Sequence, residues 1–432
     1  MLKIRNFLWL IFTITLFSAC EDACETRQTY YYYEPVITPI SEIRSSVETQ
    51  APRPIKALGK IYFKDNFLYL NEPGAGIHVI DNSNPANPIQ LAFINIPGNY
   101  SLAAKGDALY ANSYMDLVVL DISDPLNVIE AGRNEQIFSN YYTNDFFYRQ
   151  QDEGIVTDYA FREEISVDVI DCDKIYQDDY FPYDRGFAFS SSNGANRAFS
   201  KNTMGAQAGI GGSMATFTIY ANMLYAIDQS NLILTDISSL IAPAVHSKRQ
   251  VGWGIETLFP YYDKLFIGAQ DGMYIYDNKN PADPTFLSKY EHLQSCDPVV
   301  VQDSIAYVTL RDGNTCQGFV NQLEIIDISD LTNPKEMKTY PLYNPHGLGI
   351  DGASLFVCDG DAGLKVYDAT DLFKIDQNMV KQYADIHALD VIPLQNTLML
   401  IGDDGLYQYD YTDKHNISLL SSIKIEKSDE EN

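Results

Sequence analysis

Hydrophobic and polar positions alternate in short runs along most of this chain, and the runs recur about every forty residues. Each period contains two apolar residues and an Asp, followed by Ser or Asn, a second Asp or Asn, and often Pro. Clear instances are Val-Ile-Asp-Asn-Ser-Asn-Pro at 79–85 and Val-Leu-Asp-Ile-Ser-Asp-Pro at 119–125. A fixed period of this length predicts an array of one small β unit.

The repeated Asp anchors an alignment of eight periods: Asp81, Asp121, Asp171, Asp236, Asp277, Asp327, Asp368 and Asp410. Each period holds four runs that read as strands, joined by Gly/Asp or Pro-containing turns, which is the size of a propeller blade. One blade cannot bury both faces of its sheet, so blades must stack in a ring. We therefore predict an all-β fold, a β-propeller of four-stranded blades over residues 55–426. Eight anchors favour eight blades, and seven is the alternative if the Asp171 repeat is degenerate.

The recurrence of Asp in every period is explained by its role in forming tight turns, and it does not require a catalytic role. Asp and Ser side chains hydrogen-bond their own backbone in tight turns, and Pro fixes φ there. The anchors are thus interpreted as turn-forming residues.

These periods resemble the LVIVD repeat family, best at Gly-Ile-His-Val-Ile-Asp (76–81) and Gly-Leu-Lys-Val-Tyr-Asp (363–368). The resemblance extends over roughly residues 55–426. It implies a β-propeller in an extracytoplasmic bacterial or archaeal protein. The family has no common enzymatic activity, so the resemblance leaves function open.

The N-terminus is interpreted as a targeting segment. Lys3 and Arg5 precede an apolar run at 7–17 that is too short to span a bilayer. Small residues before Cys20 resemble a bacterial lipobox, which implies a signal peptide at 1–19 and lipidation of Cys20. Phe17 departs from the usual aliphatic residue, and an ordinary secretory signal is the alternative.

The acidic pair that follows Cys20 resembles the surface-export signal of lipoproteins in the Bacteroidetes group. We expect residues 20–54 to form a lipidated tether. The protein would then lie in the cell envelope, lipid-anchored to the outer membrane and exposed at the surface.

The net charge of the chain limits the classes of partner that it can bind. The formal net charge is −28, which argues against nucleic acid, because phosphates need a basic face. A protein or glycan ligand at a propeller face is the expected partner, besides the membrane through the lipid anchor.

The insertion at 172–213 interrupts the period and is either a lid or partner-binding segment, or a surface loop. Residues 427–432 form an acidic tail.

Few residues of the sequence are arranged to form a disulfide, bind a metal ion or act in catalysis. Cys296 and Cys316 fall in one repeat, and we predict a disulfide between them. The sequence contains no zinc-type Cys cluster and no nucleophile or phosphate-loop motif.

One group of residues suggests a site. His346 and His387 occupy equivalent places before the first strand of successive repeats, and Asp297, Glu256 and Tyr100 occupy about the same place elsewhere. If that strand is innermost, these side chains ring one mouth of the axial channel, where they would bind a polar ligand or a divalent cation. A solvated polar collar is the alternative.

We therefore expect a non-catalytic binding propeller without a cofactor. A metal-assisted hydrolase or lactonase at the channel mouth is the alternative, and whether the protein is an enzyme stays open.

Overall fold

The computed structural model describes residues 23–138, 142–143, 146–147, 150–151, 154–171, 210–211, 213–292, 298–312 and 320–426. They fall into two compact units. One is drawn from Met1–Ile40 and Tyr148–Ser190, the other from Ser41–Phe147 and Ser191–Asn432. No helix among these residues is long and apolar enough to cross a membrane.

The larger unit is a ring of blades. Within the described residues it contains seven antiparallel sheets in which four consecutive strands, here called A to D, pair in chain order. The A–D strands are Ile61–Lys64, Phe67–Glu72, Gly76–Asp81 and Ile89–Asn95 in blade 1; Leu102–Lys105, Ala108–Ser113, Asp116–Asp121 and Ile129–Asn134 in blade 2; Phe217–Tyr220, Met223–Asp228, Asn231–Asp236 and Ala244–Gln250 in blade 3; Ile255–Tyr261, Lys264–Ala269, Gly272–Asp277 and Thr285–Tyr290 in blade 4; Val299–Gln302, Ile305–Leu310, Gln322–Asp327 and Lys335–Pro341 in blade 5; Leu348–Asp351, Ser354–Cys358, Leu364–Asp368 and Met379–Tyr383 in blade 6; and Ala388–Leu394, Thr397–Gly402, Gly405–Asp410 and Ser418–Lys424 in blade 7.

The A strands surround the axis, because the A strands of successive blades lie against one another from blade 1 to blade 7. The predicted all-β propeller of four-stranded blades is thus confirmed. Strands A and B are joined by two-residue turns whose first residue has positive φ in every blade: Asp65, Gly106, Ala221, Tyr262, Asp303, Gly352 and Gln395. Such turns match the right-handed twist of the strands that they connect.

The hydrophobic core lies between the blades. Alternate residues of each central strand pack on the next sheet, and the last interface joins blade 7 to blade 1, where Leu68 and Ile80 pack in one cluster with Met399 and Leu406. This contact closes the ring across more than three hundred residues of chain.

The favoured count of eight blades is wrong, and the alternative of seven is confirmed. The Asp171 anchor ends strand Gly154–Asp171, which pairs along its length with Ala23–Thr38 rather than with blade strands. The sequence pattern indicated only a weak repeat ending at Asp171, and alternation does not identify the partner of a strand. The long antiparallel pair belongs to the smaller unit, and a short strand, Gln150–Gln151, pairs with its Gly154 end.

The N-terminal part of the larger unit supports blade 1. A short helix, α1 (Ile40–Ser45), follows Pro39 and buries Ile43. Strand Glu48–Gln50 then adds to strand D of blade 1. Strands Tyr142–Thr143 and Phe146–Phe147 form a small hairpin.

Several predicted segments fall outside the described residues: the signal peptide at 1–19, residues 20–22 of the tether, most of the insertion at 172–213, and the tail at 427–432. The described part of the predicted tether contains strand Ala23–Thr38, helix α1 and strand Glu48–Gln50. Its lipidation and the proposed domain boundaries stay predictions.

Candidate functional site

The turns after the C strands are built by the anchor aspartates. In all seven blades the Asp Oδ1 accepts a hydrogen bond from the backbone N–H two residues later, at 2.8–3.2 Å. The donors belong to Ser83, Ser123, Ser238, Lys279, Ser329, Thr370 and Thr412. A hydrogen bond from the Ser or Thr hydroxyl lowers the pKa of Asp81, Asp236, Asp327, Asp368 and Asp410 most, and the backbone bond adds to it; for Asp121 the backbone bond is the larger cause. The interpretation of the aspartates as turn-forming residues is confirmed for these seven.

The two histidines of the predicted site lie together. His346 and His387 precede strands A of blades 6 and 7, at the end of the axial channel where the A strands begin. Their ring centroids are 5.9 Å apart, with the planes at 66°. The backbone of His346 is fixed, since its N–H donates to Cys358 at 2.7 Å and its C=O accepts from the Thr309 hydroxyl at 2.7 Å.

Each imidazole already has a charged neighbour. An Arg311 N–H donates to Nδ1 of His346 at 2.8 Å. His387 donates from Nδ1 to the Asp361 carboxylate at 2.6 Å. The guanidinium therefore occupies the lone pair through which His346 Nδ1 would hold a metal ion, and its positive charge repels a cation there.

Arg311 extends the site to blade 4. Burial lowers the pKa of its guanidinium, and the negative charges of Glu256 and Asp312 act in the opposite direction. The Glu256 carboxylate also accepts a hydrogen bond from Gln270 at 3.1 Å. Glu256, Arg311 and the two histidines thus form a polar network across blades 4 to 7, here called the mouth network together with Asp361.

A buried carboxylate positions this network. Asp359 is fully buried and pairs with the Lys365 ammonium at 2.5 Å. It also accepts backbone N–H bonds from Tyr343 and Asn344 at 2.8–3.1 Å. These contacts fix the loop that leads to His346.

Tyr100 lies at the blade 2 side of the channel. Its backbone N–H and that of Ser101 both donate to the Asn112 side chain, at 2.9 and 2.8 Å. Asn99 links this point to Asn71 of blade 1 through a 2.7 Å hydrogen bond. Asp297 lies outside the described residues, as do Cys20, Cys296 and Cys316, so the ligand-binding and disulfide assignments stay predictions.

The end of the insertion lies on the channel side of blade 1. Ile210 and Gly211 pair antiparallel with Phe63 and Tyr62 of strand A. Farther along, the Ser213 hydroxyl donates to Asp390 of blade 7 at 3.3 Å, and the Ala215 C=O accepts a bond from Leu258 N–H of blade 4 at 2.9 Å. Residues 210–211 and 213–215 therefore contact strands A of blades 1, 4 and 7.

Two exposed aromatic residues flank the mouth network. Trp253, which is 70% exposed, lies in the loop before strand A of blade 4. Tyr343, which is 63% exposed, lies in the loop before strand A of blade 6. Both loops open at the same end of the ring as His346. Among the described residues no group of three or more His, Cys, Asp or Glu side chains is arranged to hold a metal ion.

From the sequence, Asp359 and Asp361 were predicted only as part of a hairpin turn with a weak likeness to a calcium loop, and Arg311 was not singled out. All three follow B strands in turns that vary between repeats, and the period gives no weight to such positions. The sequence feature that could have identified Arg311 is that it is a basic residue in an acidic repeat.

The fold and its repeats define a class: a seven-bladed β-propeller that contains LVIVD repeats. Three stretches match the LVIVD repeat, residues 59–95, 98–135 and 301–341, which correspond to blades 1, 2 and 5. A comparison with curated proteins found no significant match.

Solved structures share the fold at low identity. A protein from Lactobacillus plantarum is 10% identical, with 86% of this chain and 97% of that chain covered and a TM-score of 0.52. Sqt1 from Saccharomyces cerevisiae is 6% identical, with 88% and 89% covered and a TM-score of 0.50. BamB from Moraxella catarrhalis is 10% identical, with 91% and 92% covered and a TM-score of 0.47. At such identities a likeness concerns the fold alone.

Proposed function

We infer that this protein is a cell-envelope lipoprotein whose propeller binds a glycan or protein ligand at the channel-mouth face, without catalysis. The observation that carries this proposal is the pairing of exposed Trp253 and Tyr343 with the polar mouth network between them. Rigid aromatic platforms beside hydrogen-bonding groups are typical of recognition surfaces.

A glycan fits this face better than a protein. Sugar rings present one apolar face, which packs on an aromatic ring, and a rim of hydroxyls, which bond to carboxylates, guanidinium and imidazole. In the mouth network the accessible groups are the Asp361 carboxylate and the His387 imidazole, with Glu256 and Arg311 partly buried and His346 buried behind them.

The mouth network supports binding rather than hydrolysis. Arg311 donates to Nδ1 of His346 and so competes with a metal ion for that lone pair, which metal-bound water would need. His387 donates from Nδ1 to Asp361 and keeps its Nε2 lone pair for a ligand.

Binding is tested by screening purified protein against a glycan array, followed by calorimetry with the best oligosaccharide. Trp253→Ala and Tyr343→Ala should each weaken affinity about fivefold, given roughly 1 kcal/mol for an aromatic contact. The matched control is Tyr262→Ala, since Tyr262 is 64% exposed but lies in the A–B turn at the opposite end of blade 4. An equal loss in the control, or binding unchanged in both test variants, contradicts the proposed face.

Envelope location is tested separately by metabolic palmitate labelling. Label should enter the wild-type chain and not Cys20→Ala, and protease added to intact cells should digest a surface-exposed protein. Unlabelled wild-type protein would contradict the lipid anchor while leaving the binding face untouched.

A further inference from the structure

The smaller unit contains a long two-stranded ribbon, formed by Ala23–Thr38 and Gly154–Asp171. Residues directly opposite each other in an antiparallel pair lie on the same face. The register places Tyr31 opposite Glu163 and Tyr33 opposite Phe161, so the two faces can be read residue by residue.

One face is apolar. Between residues 27 and 36 of the first strand and 158 and 167 of the second, it carries Arg27, Thr29, Tyr31, Tyr33, Pro35, Tyr159, Phe161, Glu163, Ile165 and Val167. Tyr31 stacks on Phe161 at 5.6 Å, and Tyr33 meets the same ring edge-on at 5.5 Å. Nevertheless Tyr31, Tyr33, Phe161, Ile165 and Val167 are 46–63% exposed. Such a contiguous apolar stripe marks an interaction surface.

The opposite face is polar and acidic. It carries Gln28, Tyr30, Tyr32, Glu34, Val36, Asp158, Ala160, Arg162, Glu164 and Ser166, and Arg162 pairs with Glu34 at 2.7 Å. The apolar face holds one basic and one acidic residue, Arg27 and Glu163. Although the protein carries a net charge of −28, two apolar faces can therefore approach without bringing a surplus of acids together.

We propose that this apolar face is a homodimer interface, in which the ribbons of two copies pack face to face. A two-stranded ribbon alone is marginally stable in water, and a second layer supplies the missing packing. The five half-exposed side chains of this face, Tyr31, Tyr33, Phe161, Ile165 and Val167, each offer about 100 Å², so roughly 500 Å² per copy and about 1,000 Å² in total would be buried, at the lower limit for a specific interface.

The two charged residues of the apolar face determine how the two ribbons would be arranged in the dimer. The two-fold axis passes through the Thr29–Ile165 level, with the first strands of the two copies stacked antiparallel. Arg27 lies two residues below this level, and Glu163 lies two residues above it. The axis therefore brings Arg27 of each copy to the level of the partner's Glu163, and both charges find an opposite charge at the rim of the apolar patch.

The decisive experiment is site-specific cross-linking of the full chain in its own membrane. Facing sheets stand about 10 Å apart, beyond the reach of a disulfide, so Thr29→Cys is treated with a short bismaleimide. A band of twice the protein's mass is expected, and it should be absent from Gln28→Cys, whose thiol lies on the polar face, and from the wild-type chain. A band of another mass from Thr29→Cys, or equal dimer from Gln28→Cys, overturns the proposal in favour of a different partner or random encounter.

A second measurement does not depend on the added thiol. Sedimentation of the purified chain should show a dimer whose dissociation constant rises at least tenfold in Ile165→Glu, because Ile165 lies at the two-fold axis in the centre of the interface. Ser166→Glu, one residue away on the polar face, should leave it unchanged and controls for damage to the ribbon. A wild-type chain that stays monomeric at tens of micromolar, a concentration at which weak specific dimers form, refutes the interface.

Discussion

Replacing Gln408 by Leu tests how the ring of blades closes. Gln408 of blade 7 and Asn82 of blade 1 exchange two hydrogen bonds between their side-chain amides, at 2.7 and 2.9 Å. Both side chains are buried, and 326 residues separate them in the chain. The pair joins the first and last blades, so its loss acts on the one interface that no chain connection supports.

The expected loss of unfolding free energy follows from the polar groups of Asn82 that lose their hydrogen-bond partners. Gln408→Leu removes both partners of the Asn82 amide, and each buried polar group without a partner costs about 1–3 kcal/mol. Leu has nearly the volume of Gln, so the cavity term is small, and burying its apolar surface returns about 1 kcal/mol. The two groups together cost about 2–6 kcal/mol, so the net loss of unfolding free energy is about 1–5 kcal/mol.

The double variant Asn82→Leu/Gln408→Leu separates this mechanism from general damage. Replacing both partners by apolar groups of similar shape removes the unsatisfied amide, so the double variant should be about as stable as wild type or lose roughly 1 kcal/mol. Urea unfolding followed by circular dichroism measures the cycle. The control is Gln382→Leu, an exposed glutamine that bonds to Ala362 at 2.7 Å and should cost less than about 0.5 kcal/mol. Additive losses in the double variant, or a loss below about 0.5 kcal/mol in Gln408→Leu, would refute the reasoning.

Two further predictions concern the turns. Gly363 has φ of +83°, and an added Cβ would lie 1.9 Å from the Tyr383 carbonyl oxygen, whereas Gly352, at φ +59°, has nothing within 4 Å of that position. Gly363→Ala should thus lower the thermal midpoint clearly more than Gly352→Ala, which incurs only about 1 kcal/mol of backbone strain; equal shifts would contradict the steric argument. The folded pKa values of the anchor aspartates lie below the unfolded value of about 3.9, so their contribution to stability is complete above that pH and is lost as the pH falls through the folded values. Replacing Asp81, Asp327 and Asp410 together by Asn, which keeps the turn acceptor, should reduce the fall in thermal midpoint between pH 5 and pH 3; an unchanged fall would refute this.

The architecture could be predicted from sequence because the blade is a local unit. Its turns, its alternating strands and its anchor Asp lie within one period, and each is determined by short-range hydrogen bonding and by burial on one side. The number of blades was harder to predict, because strand Gly154–Asp171 alternates apolar and polar residues and ends in Asp, as a blade strand does. Its true partner, Ala23–Thr38, lies more than a hundred residues away, and strand alternation contains no information about such pairing.

The candidate site shows the same limit at the level of side chains. Equivalence between repeats correctly brought His346 and His387 to neighbouring A strands, because equivalent positions in a ring lie at one height. Arg311 and Asp361, which contact these imidazoles, occupy B–C turns whose residues and lengths differ from blade to blade. A repeat predicts what all blades share, whereas a binding site is made from the differences between them.

This distinction bears on where function is to be sought in the ring. The face that holds the anchor turns is nearly uniform, since all seven described blades repeat the same Asp hydrogen bond there. The mouth face is not: blades 4 to 7 contribute Glu256, Arg311, His346 and His387, while blades 1 and 2 contribute asparagines. A uniform face meets the needs of folding, because each turn is stabilised locally. A face in which charged groups from four blades converge does not follow from folding alone, and it is the face on which selection for a ligand would act.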